Sequence, residues 1–111
     1  MRFIDARLPV RFGRLESRAA DEAVLLEGEG QVAGPMICFA PGLAGHAVGC
    51  VCCAPRGGAA AALSALFRER AMGVGRPFRG VLAVVGPDGE AAVRSALAGD
   101  SAVLGRYRLV E

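Results

Sequence analysis

The residues of this chain best suited to chemistry are its four cysteines and its single histidine: Cys38, His46, Cys50, Cys52 and Cys53. Three of the cysteines lie within the run Gly-Cys-Val-Cys-Cys, from residue 49 to residue 53. Thiolates this close together can share a soft metal ion, and zinc prefers four sulfur or nitrogen ligands in a tetrahedral array. The run therefore predicts zinc as a cofactor, bound by the three clustered cysteines with Cys38 or His46 as the fourth ligand.

Other uses of the same side chains stay open at this point. Cysteine packs well as a small buried apolar residue, and Cys38 falls in an apolar stretch where that role is expected. Successive side chains of a strand point to opposite faces, so Cys52 and Cys53 converge on one ion only where the backbone bends. His46 lies in a glycine-rich stretch, where a solvated imidazole is expected. A thiol-redox role is a further alternative, whereas a Cys–His nucleophile lacks a clear acidic residue to orient it.

Apolar runs and turn residues predict the elements that position these side chains. Strands are predicted over residues 8–12, 35–40, 80–85 and 107–110. Helices are predicted over residues 17–26, 57–70 and 88–99, the last with Asp88 as its cap. Glu27 and Glu29 are then interpreted as the solvated end of the first helix. Strands alternating with helices predict an α/β fold with a mostly parallel sheet flanked by helices.

Length and composition limit which classes of protein the chain can belong to. The length of 111 residues and the hydrophobic content of 53% fit a single domain over residues 1–111. No apolar stretch reaches the roughly 18 residues of a membrane span, and no secretory signal is visible near the N-terminus. We therefore expect a cytoplasmic protein with reduced thiols and no membrane partner.

The basic residues are weaker evidence for a function than the cysteines are. The formal charge is only +2, and all thirteen basic residues are arginines. Five of them lie in the first eighteen residues: Arg2, Arg7, Arg11, Arg14 and Arg18. Because acidic residues are interspersed and few aromatic rings are present to stack on bases, we interpret these arginines as solvated surface and expect no nucleic-acid partner.

Residues 48–111 resemble the GTP-binding domain of the CobW-like family of metal-handling P-loop GTPases. That family carries a Gly-Cys-x-Cys-Cys motif followed by an arginine and a helix, and here the motif is followed by Arg56 and Gly57. Further segments follow in the family's order at residues 81–86, 90–97 and 106–109. The resemblance implies a P-loop NTPase-like domain whose motif cysteines, here Cys50, Cys52 and Cys53, bind metal.

The family's nucleotide-binding positions hold other residues in this chain. Its phosphate loop, Gly-Phe-Leu-Gly-Ser-Gly-Lys-Thr, corresponds best to Gly-Arg-Leu-Glu-Ser-Arg-Ala-Ala at residues 13–20. Glu16 and Arg18 replace glycines that let backbone N–H groups approach phosphate. Ala19 replaces the lysine that neutralises phosphate, and Ala20 replaces the hydroxyl residue that binds magnesium. The family's Glu-Thr-Thr-Gly segment has become Ala-Val-Val-Gly at residues 83–86.

These replacements predict a degenerate, truncated relative that keeps the architecture without nucleotide binding, catalytic residues or GTPase activity. The predicted function is that of a metal-binding accessory acting through the Gly-Cys-x-Cys-Cys run. The alternatives are a thiol-redox protein and a structural protein–protein interaction module. In the latter, an incomplete sheet pairs its edges or its apolar face with another copy or with another protein, and the cysteines are relics.

Overall fold

The computed structural model describes residues 6–41 and 58–110. In these two ranges the chain forms strands β1 (Leu8–Phe12), β2 (Glu22–Glu27) and β3 (Met36–Phe39), helix α1 (Gly58–Ala71), strand β4 (Gly80–Val84), helices α2 (Pro87–Gly99) and α3 (Ser101–Leu104), and strand β5 (Tyr107–Leu109). The strands form one sheet in the order β3-β2-β4-β1-β5, and every neighbouring pair is parallel. The predicted α/β fold with a largely parallel sheet is therefore confirmed.

Strand β4 is the centre of the sheet. Val81 pairs with Val10 of β1 on one side and with Ala23 of β2 on the other. Val81 and Leu82 point to opposite faces, and both are fully buried. The uninterrupted apolar run of β4 is thus explained by cover on both faces, as is typical of parallel sheets.

The helices lie on one face of the sheet. Alternate strand residues, such as Val10 of β1 and Leu25 of β2, join one core cluster with Leu63 of α1, Val93 of α2 and Val103 of α3. The core includes a polar anchor, because the buried hydroxyl of Tyr107 donates a hydrogen bond of 2.7 Å to the carbonyl oxygen of Leu63. Burial also raises the pKa of Tyr107.

The opposite face of the sheet is covered by the connections that precede and follow β2. Val24 and Leu82, which point to this face, are fully buried. Arg18 fastens the two connections together, since its guanidinium donates to the carbonyl oxygens of Ala33 and Pro35 and to that of Glu22. This cover consists of chain segments without an α-helix, so the sheet is helix-covered on one side only within the described part of the chain.

The helix predicted over residues 17–26 is wrong. Residues Leu15–Ser17 form a single 3-10 turn, and Glu22–Glu27 is strand β2, paired with β3 and β4. Ala23, Val24 and Leu25 are all fully buried in succession, which a surface helix cannot achieve. Pairing on both edges outweighs the intrinsic helix preference of the alanine-rich sequence.

The boundaries of the other predicted elements agree with the sequence prediction to within two residues, but α3 was not predicted and the predicted capping role of Asp88 is wrong. Helix α2 begins at Pro87, and its N-cap residue is Gly86, which has no side chain to accept a capping hydrogen bond. Asp88 lies in the first turn, where a negative charge still favours the helix dipole. A side-chain cap occurs instead at α3, where Asp100 accepts from the backbone N–H groups of Ala102 and Val103.

Within residues 6–41 and 58–110, no helix combines the length and the apolar content needed to cross a lipid bilayer.

Candidate functional site

Of the predicted metal ligands, Cys38 is the one that lies in the described part of the chain. Cys50, Cys52, Cys53 and His46 lie outside it, so their role as ligands stays a prediction. Cys38 is half-buried in β3, and its thiol lies 3.5 Å from the carbonyl oxygen of Gly30, to which it donates a hydrogen bond. The described ranges contain no group of three or more His, Cys, Asp or Glu side chains placed to hold a metal ion.

Both ends of the segment that carries these cysteines are fixed at one place in the fold. The described chain stops at Pro41, just after β3, and resumes at Gly58, the first residue of α1. A Cβ atom added to Gly58 would lie 2.8 Å from the carbonyl oxygen of Ala40, so the two ends are in contact. They meet at the carboxyl end of the parallel sheet, which is where α/β proteins bind their ligands.

A carboxylate stands at the same end of the sheet, on the N-terminus of α2. Glu27, the last residue of β2, accepts a hydrogen bond of 2.6 Å from the backbone N–H of Gly86. Gly89 makes room for this carboxylate, because a Cβ atom there would lie 2.3 Å from its Oε1 atom. The N-terminus of α2 is thus neutralised by the protein itself.

The structural role of Glu27 was not evident from the sequence. The interpretation of Glu27 and Glu29 as the end of a helix is wrong, because they end and follow strand β2. A signal for the strand was present, namely four consecutive apolar residues, 23–26, between two glutamates. The contact with Gly86 joins elements about 60 residues apart in the chain, and nothing in the local sequence points to that pairing.

Among the described residues, acidic side chains outnumber basic ones at this end of the sheet, where Arg14 follows β1. Besides Glu27, exposed Glu29 follows β2, and Asp88 and Glu90 lie in the first turn of α2. Glu90 is paired with Arg94 one helical turn further on, with 2.8 Å between the carboxylate and the guanidinium. The carboxyl end therefore presents an electrostatic environment that favours cations.

Residues 13–20, the counterpart of the phosphate loop, use four of their backbone N–H groups in hydrogen bonds inside the protein. The backbone N–H groups of Gly13, Ser17 and Arg18 donate to the carbonyl oxygens of Ala83, Arg14 and Leu15. The N–H of Ala19 donates to the Glu22 carboxylate at 2.8 Å. A phosphate loop instead offers free N–H groups and leads into a helix. Here the segment leads into strand β2.

The carboxylate of Glu22 organises this segment. Arg11 binds it in a bidentate manner, with distances of 2.6 Å and 2.7 Å, and also donates to the carbonyl oxygen of Ser17 at 2.7 Å. The hydrogen bonds from Arg11 hold the pKa of Glu22 below its ordinary value. The same interaction raises the pKa of Arg11. The pair is thus ionised at neutral pH and fixes the connection between β1 and β2.

Comparison of the chain with protein-family models, with curated proteins and with solved structures gives no match.

Proposed function

We propose that this chain is a cytoplasmic, non-catalytic metal-binding accessory, a degenerate CobW-like domain that binds zinc through Cys50, Cys52 and Cys53. The observation that carries the proposal is the contact between Gly58 and Ala40. This contact anchors both ends of the cysteine-bearing segment at the carboxyl end of the sheet. Ligands of α/β proteins bind at this end, so the described residues on either side of the cysteine-bearing segment lie where a ligand site is expected.

The charges nearby support a cationic ligand. Glu27 and Glu29 end and follow β2, and Asp88 lies at the start of α2, all at the carboxyl end of the sheet. Thiolates close together in sequence add negative charge, which favours a divalent cation over the metal-free ionised state. Cys38 donates a hydrogen bond to a backbone carbonyl in the described structure, so we assign it to packing and not to the ligand set.

The hydrogen bonds of residues 13–20 support the absence of nucleotide chemistry. Four backbone N–H groups of this segment donate within the protein, and Ala19 and Ala20 carry no group to bind phosphate or magnesium. We expect calorimetric titration with GTP and magnesium to give no saturable binding. A dissociation constant below about 10 μM, or about −7 kcal/mol, would contradict this part of the proposal.

Metal analysis tests the zinc proposal directly. Protein purified without oxygen should contain about one zinc ion per chain, and Cys52→Ser should weaken zinc binding by about 100-fold or more, about 2.8 kcal/mol. Cys38→Ser is the matched control and should retain the zinc. Binding should weaken as the pH falls, because protons compete with zinc for the sulfur atoms. A protein that carries no transition metal and takes up no added zinc at neutral pH would show that the cysteines are relics.

The helix-free face of the sheet favours a second candidate function, that of an interaction module that pairs with another copy of the chain. Leu26, Met36 and Val84 are half-buried on this face, where chain connections are the only cover within the described residues. A second subunit would bury them further. Light scattering across a wide concentration range should then give a dimer or a larger species, and a constant monomer mass would eliminate this candidate.

A further inference from the structure

The loop that joins α1 to β4, residues 72–79, displays apolar side chains at the amino end of the sheet. Met72 and Val74 are 70% and 55% exposed, which makes them the most exposed large apolar residues in the described part of the chain. Single exposed apolar residues are ordinary, but these two lie two positions apart on one loop. They form the apolar tip of what we call the α1–β4 loop.

The C-terminal cap of α1 explains why a glycine stands at position 73. It does not explain why Met72 and Val74 are exposed. The N–H of Gly73 donates to the carbonyl oxygen of Arg70 and that of Val74 to Glu69, the pattern of a Schellman motif. In that motif, the residue in the position of Val74 commonly packs back against the helix. Here Val74 points to solvent. A Cβ atom added to Gly73 or Gly75 would meet nothing within 4 Å, so the loop projects from the body of the protein.

Arginines surround the apolar tip. Arg68 and Arg70 lie in the last turn of α1, Arg76 and Arg79 lie further along the loop, and all four are exposed. Glu69 is the one acidic residue among residues 68–79. Arg70 also donates a hydrogen bond of 2.8 Å to the carbonyl oxygen of Phe78. The base of the loop is therefore fixed, while its cationic and apolar side chains face outward.

We propose that the α1–β4 loop docks on an anionic phospholipid surface. Met72 and Val74 enter the interfacial region of the lipid, and the surrounding arginines bind lipid phosphates. Apolar residues at the tip distinguish this surface from one built for single-stranded nucleic acid, which relies on exposed aromatic rings for stacking. The ring in this loop, Phe78, is 3% exposed and packs in the core. The expectation of no membrane partner rested on the lack of a spanning segment, which does not bear on docking at the surface.

A single tryptophan makes a clean reporter, because the chain contains none. In Val74→Trp, the fluorescence should shift to the blue with phosphatidylcholine vesicles that contain phosphatidylserine, and should not shift with pure phosphatidylcholine. High salt should reduce the shift, since the attraction to the headgroups is screened. An unchanged spectrum with both kinds of vesicle would overturn the proposal.

Variants of the otherwise unaltered chain separate the two contributions in vesicle co-sedimentation. The double variants Met72→Ser with Val74→Ser, and Arg76→Glu with Arg79→Glu, should each lower the affinity for anionic vesicles by about tenfold or more. Leu15→Ser and Arg14→Glu are matched controls, because both side chains are exposed and lie outside this loop. Circular dichroism checks that every variant is folded.

Further results would also reject the proposal that the α1–β4 loop docks on lipid. If the wild-type chain does not sediment with anionic vesicles, or if the control variants lose binding as strongly as the loop variants, the proposal fails. Binding to single-stranded nucleic acid without binding to vesicles would likewise reject the lipid surface and assign the arginines to a nucleic-acid partner.

Discussion

Gly58 and Gly89 at the carboxyl end of the sheet lie in close contacts, whereas Gly73 and Gly75 of the α1–β4 loop at the amino end face open space. A Cβ atom on Gly58 would press on the backbone of Ala40, and one on Gly89 would overlap the carboxylate of Glu27. Gly73 and Gly75 have positive φ angles of 74° and 73°, and no atom lies near the position of an added Cβ. Packing requires glycine at positions 58 and 89, whereas the positive φ angles favour glycine at positions 73 and 75.

The two ends also differ in charge. Acidic side chains are in the majority among the described residues of the carboxyl end, whereas seven described arginines lie at or near the amino end: Arg7, Arg18, Arg68, Arg70, Arg76, Arg79 and Arg106. Asp21, Glu22, Glu69 and Asp100 are the acidic residues beside them. A close-packed acidic end suits a fixed cation site, and an open basic end suits contact with a broad anionic surface. The two proposals thus concern different kinds of ligand at opposite ends of one small sheet.

The largest effect is expected at Gly89. Gly89→Ala should destabilise the protein by about 1–3 kcal/mol, because the new methyl group overlaps Glu27 and Val85. Gly99→Ala, in the same helix, is the control: nothing lies within 4 Å of its added Cβ, so the change should be neutral or stabilise by up to about 1 kcal/mol. Urea unfolding measures both. Equal effects at the two glycines would break the packing comparison.

The next effect concerns the ion pair that begins β2. Glu22→Gln should cost about 1–2 kcal/mol at neutral pH, since it weakens the two hydrogen bonds from Arg11. Because folding lowers the pKa of Glu22, the stabilisation is fully present above the ordinary carboxyl value of 4.5 and is lost as the pH falls below it.

Unfolding measured from pH 7 to pH 3 tests this dependence. The variant should lose less stability on acidification than the wild type, because one linked carboxylate has been removed. Glu16→Gln, at an exposed position in the 3-10 turn, is the control and should follow the wild-type curve. Parallel curves for the wild type and Glu22→Gln would contradict the prediction.

The smallest effect is expected from the carboxylate on the N-terminus of α2. Glu27→Gln keeps an acceptor for the N–H of Gly86 but removes the charge, and should cost about 0.5–1 kcal/mol. Glu29→Gln, two residues further on at an exposed position, should leave the stability unchanged. If the two variants unfold at the same urea concentration, the charge of Glu27 contributes nothing to the packing at this end.

Local sequence patterns sufficed for most of the elements and failed where distant contacts decide. The apolar run of β4 and the helical spacing of Ala59, Ala62, Leu63 and Leu66 in α1 are properties of a few neighbouring residues, so their structure was predictable. Strand β2 was mistaken for a helix because its alanine-containing sequence becomes a strand only through pairing with β3 and β4.

The candidate site was predictable to a smaller extent. The clustered cysteines were evident from their spacing, but the arrangement that anchors their segment, Ala40 against Gly58, is a tertiary contact. The same holds for Glu27, whose partner Gly86 belongs to a distant connection. Residue types indicate which ligands or reactions the side chains can serve, whereas the topology decides where on the sheet those side chains lie.

The strand order β3-β2-β4-β1-β5 also constrains the sequence of events when the chain is made. Of the described strands, β1 is synthesised first, yet its two partners are β4 and β5, the last two of the five. Before β4 is synthesised, the pairing of β2 with β3 is the only part of the described sheet that can form. The apolar strand β1 thus stays unpaired until β4 and β5 follow, and contacts so far apart in sequence slow folding. Until those strands pair, the unpaired strand edges favour aggregation of the incompletely folded chain.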